Sequence, residues 1–177
     1  MSDTFSPEVT LPTSPEILLE RLAQLGISYD LYHHPAVFTV AESGKITEDI
    51  PGTHCRNMFL CDKKKNMFLM TLANETQVDL KKIEPLIGSA RLSFGSAERL
   101  WAYLGVRPGS VCPFAIINDT EGRVPLILDQ WMMAQDRIHF HPLLNTMTVG
   151  IRPQDLLRFA ASLDHPVMVC DLSAAAP

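Results

Sequence analysis

HCRNMFLCDKKKNMFLMTL, residues 54–72, holds two apolar runs, Asn57–Asp62 and Met67–Leu72, around a polar centre at Lys63–Asn66. Runs of strand length on either side of a short polar break predict a β-hairpin. The turn is unusual in carrying lysine where a tight turn favours glycine. Three adjacent lysines read either as a solvated turn or as a small basic patch able to touch nucleic-acid phosphates.

Working outward toward the N-terminus, Ser14-Pro15-Glu16 is a helix start. Serine caps, proline suits the first helical position and glutamate complements the positive end. Ile17, Leu18, Leu22 and Leu25 give the helix one apolar face, and Gly26 ends it. A short strand over Ser28–Tyr32, then His33-His34-Pro35, leads to a second short helix, where Thr39 and Glu42 have capping-box spacing. Residues 1–13 read as a loose lead-in.

On the other side of the hairpin, Asp79 caps a short helix with Leu80 and Ile83, which Pro85 is expected to end early or kink. A strand over Ala90–Phe94 precedes a helix capped by Ser96, carrying Leu100, Trp101 and Leu104 and closed by Gly105. Arg107-Pro108-Gly109 is a turn. Val111–Asn118 and Val124–Leu128, joined by Asp119-Thr120-Glu121-Gly122, predict a second hairpin. Strands follow at Arg137–His141 and Met147–Ile151. Pro153 opens a helix through Leu156, Leu157, Phe159, Ala160 and Leu163, a last strand covers Val167–Leu172, and Ser173–Pro177 is small-residue fray. Hairpins with interspersed helices imply one α+β domain over 14–172, its sheet mixed and largely antiparallel.

At 177 residues the chain fits one domain, and 46% apolar with 20% charged residues is the balance of a soluble globular protein. The net charge of −5 disfavours a protein that coats nucleic-acid phosphates and, with no helix-turn-helix pattern, disfavours sequence-specific DNA binding. The N-terminus lacks an apolar signal core, and no apolar run approaches the ~20 residues of a membrane helix. Cytoplasmic residence is expected. Cys55, Cys61, Cys112 and Cys170 contain no CxxC pair, so free thiols are expected rather than a zinc site or redox dithiol.

No phosphate-binding glycine loop, nucleophile elbow or zinc helix is present. His139 and His141 share one face of a strand, where a metal, a structural role or a substrate contact are all open, although further ligands are not apparent. His33, His34 and His54 are either packing groups or pocket-lining ones. Gly109-Ser110-Val111-Cys112-Pro113 is either a plain loop or a backbone cradle whose N–H groups hold a carbonyl or oxyanion.

Beyond this point a resemblance carries the reading. HHPAVFTVAES at 33–43, the hairpin at 54–72, VDLKKI at 78–83, RLSFGSAERLWAYLGVRPGSVCPFAIIND at 91–119, VPLILD at 124–129 and HFHPLLNTMTVGI at 139–151 occur in the order of the prolyl-tRNA editing family. These are the YbaK/ProX-type aminoacyl-tRNA deacylases related to the insertion domain of prolyl-tRNA synthetase. Within the family the chain is most similar to the free-standing type that removes alanine from the proline tRNA.

The resemblance implies a mixed sheet flanked by helices, a water-dependent cut of the aminoacyl ester, and no cofactor or metal. It implies mischarged tRNA as substrate and prolyl-tRNA synthetase as a candidate partner. The family's G-x-x-x-P loop matches Gly109 to Pro113, so backbone groups of Gly109, Ser110, Val111 and Cys112 are expected to cradle the carbonyl. Its K-N-x-F-L segment matches Arg56-Asn57-Met58-Phe59-Leu60, with arginine where alanine-specific members carry lysine. Asn57 and Arg56 are expected to orient the aminoacyl end, Met58, Phe59, Val111 and Pro113 to wall the pocket, and His141 and Asn145 to stand at its rim. Lys63, Lys64 and Lys65 are the expected tRNA contacts. Two alternatives remain: the same reaction on Cys-, Ser- or Thr-tRNA, and a non-catalytic tRNA- or protein-binding homologue.

Overall fold

A computed structural model describes residues 10–38 and 40–177, apart from the side chain of Val40. The cap expected at Thr39, and most of the expected lead-in, lie outside the described residues. The elements are α1 (Pro15–Gln24), β1 (Asp30–His33), α2 (Val40–Asp49), β2 (Thr53–Asp62), β3 (Met67–Ala73), α3 (Leu80–Ile87), β4 (Leu92–Phe94), α4 (Ala97–Leu104), β5 (Leu126–Asp129), α5 (Gln130–Met133), β6 (Ile138–Phe140), β7 (Met147–Ile151), α6 (Pro153–Ser162) and β8 (Val167–Cys170). Short 3-10 helices cover Pro113–Asn118 and Leu172–Ala175.

The eight strands form one mixed sheet in the order β1-β7-β6-β2-β3-β5-β8, with β4 also paired to β2. The β2–β3 hairpin is its spine, antiparallel with Asn57 opposite Thr71 and Cys61 opposite Met67. Alternation along the spine feeds two cores. Phe59, Cys61, Met67 and Leu69 join α1, α4 and α6 in the larger one, whereas Leu60, Met70 and Leu72 join Ile83 and Leu92 in the smaller. Burial on both faces explains why these strands read as near-continuous apolar runs.

Asp62 makes the lysine turn work without glycine. Its carboxylate accepts from the backbone N–H groups of Lys64 and Asn66, both at 2.9 Å, and from that of Ala90 at 3.1 Å. Lys65 takes the left-handed conformation at φ 67°. An Asx-type turn thus replaces the glycine-dependent one.

Four expectations about these elements are corrected. Val111–Asn118 is not a strand: Pro113–Asn118 is a 3-10 helix, and Phe114 within it packs edge-on against Phe140 and Phe159 at 5.7 and 5.5 Å. A short, wholly buried apolar run carries no period to separate strand from helix, and Pro113 supplies no ladder N–H but suits a helix start. There is consequently no second hairpin. The Asp119–Gly122 turn exists, but β5 pairs in parallel with β3 and β8.

The helix at Asp79 runs through Pro85 to Ile87 and closes on left-handed Gly88. The expected C-terminal fray is instead partly ordered: Leu172 and Ala175 are fully buried, and the Ala175 carbonyl accepts from the Asp79 N–H at 2.8 Å. Among the described residues, no helix is long and apolar enough to cross a membrane.

Candidate active site

β2 enters the sheet beside β6, with His54 level with His139, and its first residues stay half-buried while its far end sinks into the core. A cleft of 540 Å³ opens over this entry. Cys55, Arg56 and Asn57 form one wall, Gly109 and Val111 another, and α2 contributes Ser43, Gly44 and Thr47, with Phe38, Asn74 and His141 at the margins. A recess of 40 Å³ shares Val37, Thr47, Cys55, Asn57, Asn74 and His141 with the cleft and reaches down to Ile46, Phe140 and Thr148.

Asn57 accepts from the fully buried Thr71 hydroxyl through Oδ1 at 2.7 Å. That bond fixes the amide and leaves Nδ2, a donor, as the group free to serve the cleft. Gly109 sits at φ +90°, a conformation that favours glycine. A Cβ there would stand 3.6 Å from both the Asn145 amide and the Phe38 ring, so its neighbours leave room and the backbone conformation is the constraint. The Ser110 N–H is taken by the Arg107 carbonyl at 3.0 Å. Ser110 and Cys112 are buried and line neither cavity, and burial pushes the Cys112 thiol up to about 12. Of the four expected cradle residues, the structure brings Gly109 and Val111 to the cleft.

His141 donates from Nδ1 to the Met147 carbonyl at 2.8 Å, which leaves Nε2 as the lone-pair nitrogen of the neutral ring. Burial holds its pKa below the usual histidine value, reinforced by His34, whose ring lies 5.9 Å away, and partly offset by the Met147 carbonyl. His139 is pushed in the same direction by burial, and its ring stacks on His54 at 4.8 Å. It is wedged between Gly52 and Gly150, where a Cβ on either would come within 2.6 Å of the ring. Each ring is held by a carbonyl (Thr53 for His139, Ile50 for His54), and among the described residues no metal-competent cluster of three His, Cys, Asp or Glu exists. The Cys55 thiol is likewise driven up to about 12, chiefly by burial, which keeps it protonated and weakly nucleophilic.

Arg56 lines the cleft, but its guanidinium is spent on the turn after β3. Nη1 donates to the carbonyls of Ala73 at 3.2 Å and Asn74 at 2.9 Å, and Nη2 to that of Thr76 at 2.6 Å. Asn145 lies just behind the loop and donates to the Val37 carbonyl at 3.0 Å, tying the β6–β7 connection to the segment before α2. Met58 and Phe59 do not reach the cleft; they pack in the smaller and larger cores, and Pro113 is buried at the start of its 3-10 helix. Lys63–Lys65 lie at the far end of the hairpin, about six residues and so ~20 Å from Asn57. Sequence reasoning missed Asn74, Thr47 and Ser43. Asn74 follows a strand and the other two sit on a polar helix, so nothing local marks them.

Comparison with known proteins agrees with this architecture. The profile of the aminoacyl-tRNA editing domain matches residues 34–159. A prolyl-tRNA synthetase associated domain-containing protein of Danio rerio is 34% identical over 154 residues, spanning 86% of this chain and 84% of that one. The prolyl-tRNA editing protein ProX of Acetoanaerobium sticklandii is 33% identical over 142 residues, spanning 80% and 87%. A solved structure described as a candidate trans-editing enzyme for prolyl-tRNA synthetase shares the fold at a TM-score of 0.67, with 18% identity over 92% of this chain and 99% of that one. With more than half the chain matched by the family profile and relatives above 30% identity along most of its length, this protein belongs to the aminoacyl-tRNA editing domain family.

Proposed function

We propose that this protein is a trans-acting hydrolase that removes alanine from mischarged proline tRNA. The observation that carries the reading is the cleft itself: the loop at Gly109–Val111 and the strand at Cys55–Asn57 wall one cavity of a size to take an aminoacyl-adenosine end. An aminoacyl ester is already reactive, so a positioned water and a stabilised oxyanion supply the needed acceleration. The protonated thiol of Cys55, half-buried in the cleft wall, fits a mechanism without a covalent intermediate.

In this mechanism the N–H groups of Gly109 and Val111, with Asn57 Nδ2, hold the carbonyl oxygen as it gains charge. Water adds to the carbonyl carbon, the bond from that carbon to the ribose oxygen breaks, and the ribose oxygen takes the proton the water gives up. Free amino acid and intact tRNA leave. The adenosine's other ribose hydroxyl is the group placed to relay that proton. Arg56 acts at one remove, because its donors are engaged by the backbone. Lys63–Lys65 serve as a tRNA contact only for a part of the tRNA ~20 Å from its acylated end.

The 40 Å³ recess supports alanine over proline, since it admits a methyl group and is tight for a pyrrolidine ring. A synthetase pocket shaped for proline discriminates poorly against a smaller side chain, at ~1–3 kcal/mol per methylene, which is why a second site is needed. Ser43, Thr47 and His54 in the recess wall favour serine as a second reading, because they can satisfy a hydroxyl. Purified protein is tested on Ala-, Ser-, Cys- and Pro-tRNA(Pro). Fast loss of alanine with proline retained supports the proposal. Faster loss of serine selects the second reading, and hydrolysis of none rejects both.

A further inference from the structure

We propose that Asn74 is a substrate-binding residue whose Oδ1 accepts from the α-ammonium of the aminoacyl group, and that Arg56 is the positioning residue that fixes the turn carrying it. This rests on the hydrolase reading above.

The substrate brings a cation into the cleft. An α-ammonium has three donors, and leaving them unpaired in a half-buried site is costly. Among the described residues no carboxylate lines either the cleft or its recess. The ammonium must therefore meet a neutral acceptor. Asn57 Oδ1 already accepts from Thr71, and the Thr47 hydroxyl, which donates to the Gly44 carbonyl at 2.8 Å, keeps only the lone pairs of a neutral hydroxyl. Asn74 lines both cavities, and its side-chain amide makes no hydrogen bond among the described residues. Its Oδ1 is an amide acceptor with both lone pairs open, against the single lone pair of His141 Nε2 in the same wall.

The turn that carries Asn74 is anchored far beyond what a surface turn needs. Arg56 grips the carbonyls of Ala73, Asn74 and Thr76, the Asn74 N–H donates to the His54 carbonyl at 2.9 Å, and the Thr76 hydroxyl donates to Asp129 at 3.1 Å. A planar guanidinium suits three carbonyls spread over four residues; a lysine ammonium is a single point charge on a flexible stem. Arg56 therefore does its work through Asn74 rather than on the ester.

The test compares alanyl-tRNA with propionyl-tRNA, its analogue with a hydrogen in place of the α-ammonium, in wild type, Asn74→Ala, Arg56→Lys and the double variant. Wild type is expected to prefer the alanyl ester. Asn74→Ala is expected to lose about ten-fold or more in kcat/KM on alanyl-tRNA, mainly through KM, as for a lost hydrogen bond to a charged group. On propionyl-tRNA, which has no donor at that position, it should change about two-fold or less, and that retained turnover also shows that the variant is folded. Arg56→Lys should show the same selective loss, smaller in size, and add nothing to Asn74→Ala in the double variant. Equal losses on both esters, or none on the alanyl ester, overturn the proposal. So does a wild type indifferent to the ammonium, although hydrolase activity then stands. A wild type that cleaves neither ester removes the hydrolase reading as well.

Discussion

Asn57→Asp separates what this residue does for the fold from its proposed role at the ester. Aspartate is nearly isosteric and keeps an oxygen to accept from the Thr71 hydroxyl, so the buried bond at 2.7 Å survives. It loses Nδ2, the donor proposed to meet the developing oxyanion, and puts a negative charge in its place. Loss of one preorganised donor costs about 10²–10³ in kcat, equivalent to about 2.7–4 kcal/mol, and the added charge acts in the same direction. Asn57→Ala removes both groups. It leaves the Thr71 hydroxyl, which has no solvent access, without its partner, at about 1–3 kcal/mol of stability. For a domain of this size each kcal/mol lowers Tm by about 2–4 °C. Single-turnover deacylation of Ala-tRNA(Pro) beside thermal melts reads both quantities. The expected pattern is an aspartate variant that melts near wild type and is at least about a hundred-fold slower, and an alanine variant that is slow and melts several degrees lower. An aspartate variant within about five-fold of wild-type rate refutes the donor role, because a lost preorganised donor costs far more.

Gly109→Ala should cost about 1–2 kcal/mol of stability because φ +90° disfavours any side chain, and should lower kcat/KM as the loop shifts the cradle; unchanged melting and turnover would remove the loop from the account. His139 and His141 have folded pKa values held below their unfolded values, mainly by burial. The unfolded chain then binds more protons between the two values. Stability should be flat above the unfolded value of ~6.5 and fall as pH drops below it toward the lowered folded values. Melts from pH 8 to 5 read this directly, and a Tm that rises on acidification contradicts it.

Much of the fold was legible because it is written locally. Ser14, Asp79 and Ser96 cap their helices through side-chain bonds, Gly105 closes one of them in the left-handed conformation, and the two apolar runs of the spine flank its polar turn. What failed was non-local. Pro113–Asn118 has no solvent-facing side to create a period, and the partners of β5 come from distant segments that no turn specifies. The same division holds at the site. Asn57, Gly109, Val111 and His141 came from matching motifs and converge on one cleft. Met58 and Phe59 were expected to wall it as the apolar residues of the same motif, yet the backbone path carries them into the cores. Asn74 reaches the cleft only because the hairpin returns β3 alongside the start of β2, with Cys55 opposite Ala73.

The proposed function requires that the cleft between the Gly109 loop and the first residues of β2 grip the aminoacyl group. Backbone amide NMR during titration with 3′-alanylamido-3′-deoxyadenosine, which carries an amide in place of the labile ester, tests it most directly. The largest shifts are expected to gather at Gly109, Val111, Asn57, Asn74 and His141, with Lys63–Lys65 unmoved. Shifts gathered at another surface, with these residues silent while the analogue is bound, would contradict it.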